Sequence, residues 1–198
     1  VVEVVLCDSE ANRLRDVGDR FQIARRFSDI DALLNAPDVD AVHLVTPLFT
    51  HFDLTLRVLQ AGKHFACAVT MGTTLEQLER IIQAQRDTGR NYMMMETVVY
   101  SREYLFVKEM YDKGELGRIQ FLRGSQQQDM EGWPCYWEGF PPMHYATHCV
   151  STCLALVGRP AERVVDHRQV SRVQQDLGRR HAERRRDLRQ VRGRRDLR

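Results

Sequence analysis

The chain has 198 residues, of which 43% are hydrophobic and 28% are charged, and its formal net charge is +2. This composition is that of a globular protein, and no apolar run approaches the ~20 residues of a bilayer-spanning helix. The first residues, Val1 to Val5, lack the basic start and small-residue cleavage site of a secretory signal. We therefore expect neither a membrane protein nor a secreted protein.

The cysteines favour a reducing compartment. Five of them are scattered along the chain without a CxxC pair, and an odd, scattered set does not form a disulfide framework. We expect free thiols in the cytoplasm.

The charge is distributed unevenly. Residues 1–158 contain 15 basic and 21 acidic residues, whereas residues 159–198 contain 14 arginines, six acids and no Phe, Tyr, Trp, Ile or Met. A segment so poor in large apolar side chains cannot offset its ordering entropy by burial. We expect a disordered tail or, as the favoured interpretation, a change of reading frame near Val164. A basic arm that binds nucleic acid is a third interpretation, which we do not favour.

Apolar runs alternate with helical periodicity in the first hundred residues, and Ser9 and Ser28 are predicted helix caps. This alternation is typical of βαβ units in a parallel sheet that is covered on both faces. Strands are predicted over 1–7, 23–27, 39–46, 64–69 and 92–99, and helices after Ser9, after Ser28, over 51–60 and over 73–89.

The pattern changes after Val99, where we place a domain boundary. A helix over 104–113, a strand over 118–124 and a helix near 148–157 follow, with a loop rich in Trp, Pro and Gly before the last helix. Trp133, Tyr136 and Trp137 in this loop either stack on a sugar-like ligand or pack the loop onto the domain.

In parallel sheets, ligands bind beyond the carboxyl ends of the strands. This rule points to Asp8, to Thr46 and Pro47, and to the stretch after Cys67. An acid at such a strand end hydrogen-bonds a ribose hydroxyl in dinucleotide-binding domains, about 20 residues after a GxGxxG loop. The twelve glycines include no GxGxxG. We therefore expect the first strand and its phosphate loop to lie upstream of Val1.

Several motifs occur in order along residues 1–158. They are Pro37-Asp38-Val39-Asp40-Ala41-Val42, Thr46-Pro47, His51, Ala61-Gly62-Lys63-His64, Gly114-Glu115-Leu116-Gly117-Arg118-Ile119 and His144-Tyr145-Ala146-Thr147-His148. The series resembles the glucose–fructose oxidoreductase/inositol dehydrogenase (Gfo/Idh/MocA) family.

The resemblance implies an α/β protein with a Rossmann-like parallel sheet that lacks its first strand, followed by the start of a second, open-sheet α/β domain. The expected divisions are a partial NAD(P)-binding domain over 1–98, a partial substrate domain over 99–158 and the tail over 159–198. The implied activity is hydride transfer between a nicotinamide cofactor and a sugar, cyclitol or related polyol, and the implied full-length form is a homo-oligomer. Asp8 favours NAD over NADP, and Thr46, Pro47 and His51 are expected near the cofactor.

Two positions depart from the family pattern. The family's Glu-Lys-Pro, whose lysine commonly transfers the proton, is matched here by Ala68-Val69-Thr70. The family's aspartate four residues before the histidine is matched by His144. Oxidation of an alcohol needs a proton acceptor, so His148 is the expected base and His144 its neighbour. The alternative is a non-catalytic protein that binds a dinucleotide or a sugar on the same fold.

Two further expectations concern metals and the isolated chain. His144 and His148 at i,i+4 would need a third ligand to hold zinc, and the sequence does not locate one, so we expect no metal site. Without a phosphate loop, a first strand and a complete second sheet, we expect residues 1–198 alone to show little dehydrogenase activity.

Overall fold

The structure is a computed structural model, and it describes residues 3–137 and 140–165. The chain divides into two compact units between Glu96 and Thr97, three residues before the predicted boundary. We call them the first unit and the second unit. Residues 166–198, which include most of the arginine-rich tail, lie outside the described residues.

The first unit alternates strands and helices as expected. Its strands are β1 (Leu6–Cys7), β2 (Arg26–Phe27), β3 (Ala41–Leu44), β4 (His64–Ala68) and β5 (Tyr92–Met95), and its α-helices are α1 (Ala11–Arg20), α2 (Ile30–Leu34), α3 (His51–Gln60) and α4 (Leu75–Thr88). A 3₁₀ helix, Leu48–Thr50, leads directly into α3.

The strands form two parallel sheets rather than one. β1 pairs with β2, and β4 lies between β3 and β5. A doubly wound sheet with the strand order 3-2-1-4-5-6 separates into these two groups when its strand 1 is removed. The expectation of a Rossmann-like sheet without its first strand is therefore confirmed.

A single apolar core connects the two sheets. Leu44, Phe65 and Cys67 from the larger sheet pack with Val58 and Leu59 of α3. Val5, Phe27 and Ile30, from β1, β2 and α2 or their flanks, are partly buried against the same cluster. Side-chain contacts therefore join the sheets across the position that strand 1 takes in the full order.

Two helix caps differ from the predicted ones by one residue. The N-cap of α1 is Glu10, whose carboxylate accepts from the N–H groups of Asn12 and Arg13 at 3.1 and 2.7 Å. The N-cap of α2 is Asp29, whose carboxylate accepts from the Ala32 N–H at 3.0 Å. The prediction of Ser9 and Ser28 as caps was wrong. The neighbouring carboxylate accepts the same hydrogen bonds, and its negative charge is also stabilised by the positive end of the helix dipole, whereas a hydroxyl carries no charge.

The second unit contains α5 (Arg102–Asp112) and α6 (Thr147–Val157), with short 3₁₀ helices at Thr97–Tyr100, Cys135–Trp137 and Pro142–Tyr145. The predicted strand over 118–124 was wrong, since these residues are extended without a partner strand in the described part of the unit. A strand is stabilised only by ladder hydrogen bonds to a neighbour. Gly124 packs directly against the carbonyl of Cys149 in α6, where a Cβ atom would come within 2.1 Å.

Apolar side chains remain exposed on the second unit, among them Leu105 and Phe106 of α5, Phe121, and Val150 of α6. Among the described residues, no helix is long and apolar enough to cross a membrane.

The core around α3 generates the first prediction. Replacing the fully buried Leu59 with alanine should lower the free energy of unfolding by about 2–5 kcal/mol, because the change removes apolar contacts and leaves a cavity. Leu75, which is 78% exposed, supplies the matched control, and Leu75→Ala should change stability by less than about 0.5 kcal/mol. Urea denaturation followed by circular dichroism measures both, and equal effects would contradict this description of the core.

Candidate functional site

The carboxyl ends of β3 and β4 are joined by the buried side chain of His51. This residue begins α3 and is 1% exposed. Its Nδ1 lies 2.7 Å from the Thr70 carbonyl oxygen, beyond β4, and its Nε2 lies 2.9 Å from the Thr46 carbonyl oxygen, beyond β3. Each contact is a hydrogen bond when the nitrogen concerned carries a proton. The imidazole therefore fixes the two loop segments relative to each other.

Neither ring nitrogen of His51 remains for a ligand. The sequence analysis expects His51 near the cofactor. In the structure, both of its ring nitrogens lie against the backbone carbonyls of the loops that follow β3 and β4. We propose that His51 is a positioning residue for this edge and does not itself contact the cofactor.

Thr46 presents its hydroxyl at the same edge and is exposed. The Thr50 hydroxyl donates to the Pro47 carbonyl at 2.7 Å, and it lies 2.6 Å from the Thr46 hydroxyl. Because the single hydroxyl proton of Thr50 is donated to Pro47, the Thr46 hydroxyl is the donor in the contact between the two threonines. Thr46 therefore offers its oxygen lone pairs to a ligand, on a loop held by Pro47 and Thr50.

Beneath this loop, Cys67 is fully buried in β4. Burial raises the pKa of the Cys67 thiol to about 12, although hydrogen bonds with Thr55 and Tyr92 lower it in part. A thiol with so high a pKa is a core residue rather than a nucleophile at neutral pH.

Asp8 lies just beyond β1, as predicted, and is paired with Arg13 of α1. Its two carboxylate oxygens accept from Arg13 Nη1 at 3.2 and 2.9 Å, and Oδ1 also accepts from the Glu10 N–H at 2.8 Å. The Asp8 side chain retains 26% exposure, so a carboxylate oxygen remains accessible to a ribose hydroxyl. A nearby arginine is the group that accommodates the 2′-phosphate of NADP in such domains, so Asp8 and Arg13 have opposite preferences.

In the second unit, the two candidate histidines belong to different helices. His144 lies in the 3₁₀ helix Pro142–Tyr145, and His148 lies in the first turn of α6. The i,i+4 spacing of the two residues does not place them on one α-helix, because the 3₁₀ helix ends at Tyr145 and α6 begins at Thr147. No group of three metal-ligating side chains occurs among residues 3–137 and 140–165.

His148 and His144 are held by a network of aromatic rings. The His148 ring meets Tyr145 edge to face at 5.0 Å, and His148 Nε2 lies 3.3 Å from the Tyr145 hydroxyl. The His144 ring meets Phe140 at 5.5 Å. Trp137 is the hub of the network, with ring centroids 5.0–5.7 Å from its four neighbours, which are Trp133, Tyr136, Phe140 and Tyr145.

The aromatic network can be compared with the two interpretations of the Trp-rich loop, which are stacking on a sugar-like ligand and packing of the loop onto the domain. Edge-to-face contacts with several rings show that Trp137 packs the loop against the 3₁₀ helix that precedes α6. Tyr136 is 41% exposed, so an aromatic side chain at the rim of the same network stays accessible.

Sequence reasoning missed three residues of interest. Tyr145 touches His148, Thr70 supplies a carbonyl to His51, and Glu96 is a buried acid just beyond β5. Glu96 carried a usable signal, since an acid directly follows the apolar strand Tyr92–Met95 just as Asp8 follows the first apolar strand. The contacts of Tyr145 and Thr70 depend on tertiary packing and carried no such signal.

Comparison with known proteins agrees with this geometry. Residues 3–96 match the family model GFO_IDH_MocA, described as an oxidoreductase family with an NAD-binding Rossmann fold. The first unit is thus an NAD-binding Rossmann domain. This first unit belongs to the Gfo/Idh/MocA oxidoreductase family, as the motifs within it indicated.

Two curated relatives illustrate the range of this similarity. The chain is 29% identical over 126 residues to inositol 2-dehydrogenase of Salmonella typhimurium, which covers 62% of the chain and 38% of that protein. It is 39% identical over 87 residues to glycosyl hydrolase family 109 protein 2 of Shewanella sp. strain ANA-3, which covers 44% of the chain and 19% of that protein. The chain therefore spans less than two fifths of either relative.

Two solved structures share the fold. A probable dehydrogenase from Thermotoga maritima matches with a TM-score of 0.74 and 18% identity, covering 90% of this chain and 55% of that one. Levoglucosan dehydrogenase in complex with NADH and levoglucosan matches with a TM-score of 0.70 and 23% identity, covering 79% of this chain and 45% of that one.

The link between His51 and the two loops generates the second prediction. His51→Ala removes the ring that contacts both carbonyl oxygens, and a buried acceptor left unsatisfied costs about 1–3 kcal/mol. We expect a loss of about 2–4 kcal/mol of stability together with weaker NAD binding, measured by urea denaturation and calorimetry. His43→Ala, at an exposed position of β3, is the control and should change both quantities little. Unchanged NAD affinity in a destabilised His51→Ala protein would limit His51 to a purely structural role.

The pair formed by Asp8 and Arg13 generates the third prediction. Asp8→Ala should weaken NAD binding about tenfold, because a charge-assisted hydrogen bond to ribose contributes about 1.5 kcal/mol or more. The same change removes the carboxylate that repels a 2′-phosphate, so NADP binding should weaken less or improve. Calorimetric titration with each dinucleotide gives the ratio of the two affinities. The control is Asp16→Ala, which removes an exposed carboxylate of α1 and should leave the ratio unaltered. A parallel loss of both affinities in Asp8→Ala would contradict the assignment of Asp8 to the ribose.

Proposed function

We propose that this protein is an NAD-dependent oxidoreductase that transfers hydride to or from a sugar, a cyclitol or a related polyol. The observation that carries the proposal is the Rossmann domain of an oxidoreductase family over residues 3–96. An inositol 2-dehydrogenase among the relatives and levoglucosan dehydrogenase among the similar structures support polyhydroxylated substrates.

The residues at the strand ends fit a dinucleotide. Asp8 has an accessible carboxylate oxygen for the adenosine ribose, and Thr46 offers an oxygen acceptor on a loop fixed through Pro47 and His51. When bound, the nicotinamide supplies the hydride acceptor or donor. The chain's own residues bind the ribose, orient the cofactor and hold the loops in place.

The second unit supplies the substrate side in this proposal. His148 is the proton-transfer residue, and its contact with the Tyr145 hydroxyl at 3.3 Å orients the ring and gives it a proton-relay partner. The exposed Tyr136 at the rim of the aromatic network is suited to the apolar C–H face of a sugar ring. His144 stands beside this pair as a second polar contact.

Glycoside hydrolysis with bound NAD is the second candidate function. The 39% identical Shewanella protein carries a glycosyl hydrolase name, and Val69 occupies the position where the resemblance expects a proton-transferring lysine. NAD-dependent glycosidases exist among families that depart from the two-carboxylate mechanism. A protein that only binds a dinucleotide or a sugar remains the non-catalytic alternative.

We further propose a cytoplasmic protein that forms homo-oligomers in its full-length form. All five cysteines are free thiols, which fits a reducing compartment. Exposed apolar residues on α5, such as Leu105 and Phe106, fit an interface with another copy.

One assay separates the three functions. The protein is incubated with NAD and a panel of polyols, free sugars and aryl glycosides, while NADH is followed by absorbance and released sugar by chromatography. Accumulating NADH with no released sugar supports the oxidoreductase, and released sugar without net NADH supports the glycosidase. NAD binding without any turnover on the panel leaves the binding protein.

His148 supplies the fourth prediction. His148→Ala should lower kcat at least about 100-fold, since general acid–base catalysis contributes 10²–10⁴, while the affinity for NAD stays within about twofold. His43→Ala, at the exposed β3 position, is the matched control and should retain full activity. Turnover that survives in His148→Ala would remove this residue from the proton-transfer step.

A further inference from the structure

Glu96 lies in one row with two residues of the candidate site. It is the first residue after β5, as Val69 is the first after β4 and Thr46 the second after β3. Counted from the paired residues Leu44, Cys67 and Met94, each of the three lies two positions further along the chain. All three therefore follow the carboxyl ends of parallel strands, and ligands bind at this edge of such sheets.

The burial of Glu96 is unusual for an acid. Only 6% of the residue is exposed, and burying a carboxylate costs free energy. Three other polar or charged residues of the described part are as deeply buried. His51 joins the loops, Thr55 donates to the His51 carbonyl at 2.6 Å, and Lys63 donates to the Ala36 carbonyl at 2.8 Å near the opposite end of β4. Glu96 is the buried acid among them, and it directly follows the carboxyl end of β5.

The position of Glu96 indicates which part of the cofactor it faces. Each half of a doubly wound sheet binds one mononucleotide. Asp8, on the two-stranded half, is the candidate partner of the adenosine ribose, so the three-stranded half receives the nicotinamide. The oxidised nicotinamide ring carries a positive charge that reduction removes. A carboxylate beside this ring therefore stabilises the oxidised form more than the reduced form.

We propose that Glu96 favours the oxidised over the reduced nicotinamide cofactor, and that it thereby makes bound NADH a stronger hydride donor and bound NAD⁺ a weaker hydride acceptor. This inference rests on the proposed function, since it requires the cofactor to bind at this edge. Glu96 acts through its charge, without forming or breaking a bond.

The test uses the intact protein and measures its dissociation constants for NAD⁺ and for NADH by calorimetry. Glu96→Gln keeps the shape of the side chain and removes the charge. We expect the ratio Kd(NAD⁺)/Kd(NADH) to rise about tenfold, because a nearby unit charge in a partly desolvated site contributes on the order of 1 kcal/mol or more. Glu96→Asp keeps the charge and should leave the ratio within about twofold. Glu79→Gln removes an equivalent charge from an exposed position of α4 and should change nothing.

A second variant covers the case in which Glu96→Gln fails to melt cooperatively. Val69→Lys introduces a positive charge in the same row and should also raise the ratio, because it opposes the field of Glu96. An unchanged ratio in a folded Glu96→Gln protein, or in Val69→Lys when Glu96→Gln does not fold, overturns the inference while the proposed function stands. An unaltered protein that binds neither nucleotide overturns both.

Discussion

The contacts of the His51 imidazole with two backbone carbonyls are the constraint on which the candidate site depends. They reach from the start of α3 to the carbonyls of Thr46 and Thr70, which belong to the loops that leave two neighbouring strands. The ladder hydrogen bonds end at Leu44 and Ala68, so the imidazole connects these loops beyond the ladder. This link holds the backbone that carries the Thr46 hydroxyl, which is what preorganised binding requires.

The division of the sheet sets the second constraint. β1 and β3 do not pair, and the two sheets are joined by the apolar core that they share and by the ion pairs of Arg25 with Asp38 and of Arg57 with Asp31. In the 3-2-1-4-5-6 order, the position between them belongs to the strand that leads into the phosphate-binding loop. The described residues accordingly carry candidates for the two ends of a dinucleotide, Asp8 at one and the edge with Thr46 and Glu96 at the other, and no glycine-rich loop for its centre.

In the described part of the second unit, a network of aromatic rings connects the segments around α6. Trp137 contacts four aromatic side chains, and one of them, Tyr145, touches His148. The Tyr145 ring and hydroxyl help to fix the orientation of the histidine. This contact also explains why the substitution of the family's aspartate by His144 does not leave His148 unsupported, since the Tyr145 hydroxyl lies within hydrogen-bonding distance of the ring.

The sequence by itself determined the alternation of strands and helices, the parallel pairing of the strands and the strand-end positions of Asp8 and Thr46. These features follow from local hydrophobic periodicity and from the rule that parallel strands end at a common edge. Only the tertiary structure decided the rest. The segment 118–124 forms no strand, because a strand requires a partner strand. Glu10 rather than Ser9 caps α1, because the free energies of competing N-cap residues differ by little. The burial of His51 and Glu96 and the contact of Tyr145 with His148 arise between residues that are packed together in space, and local periodicity carries no information about such packing.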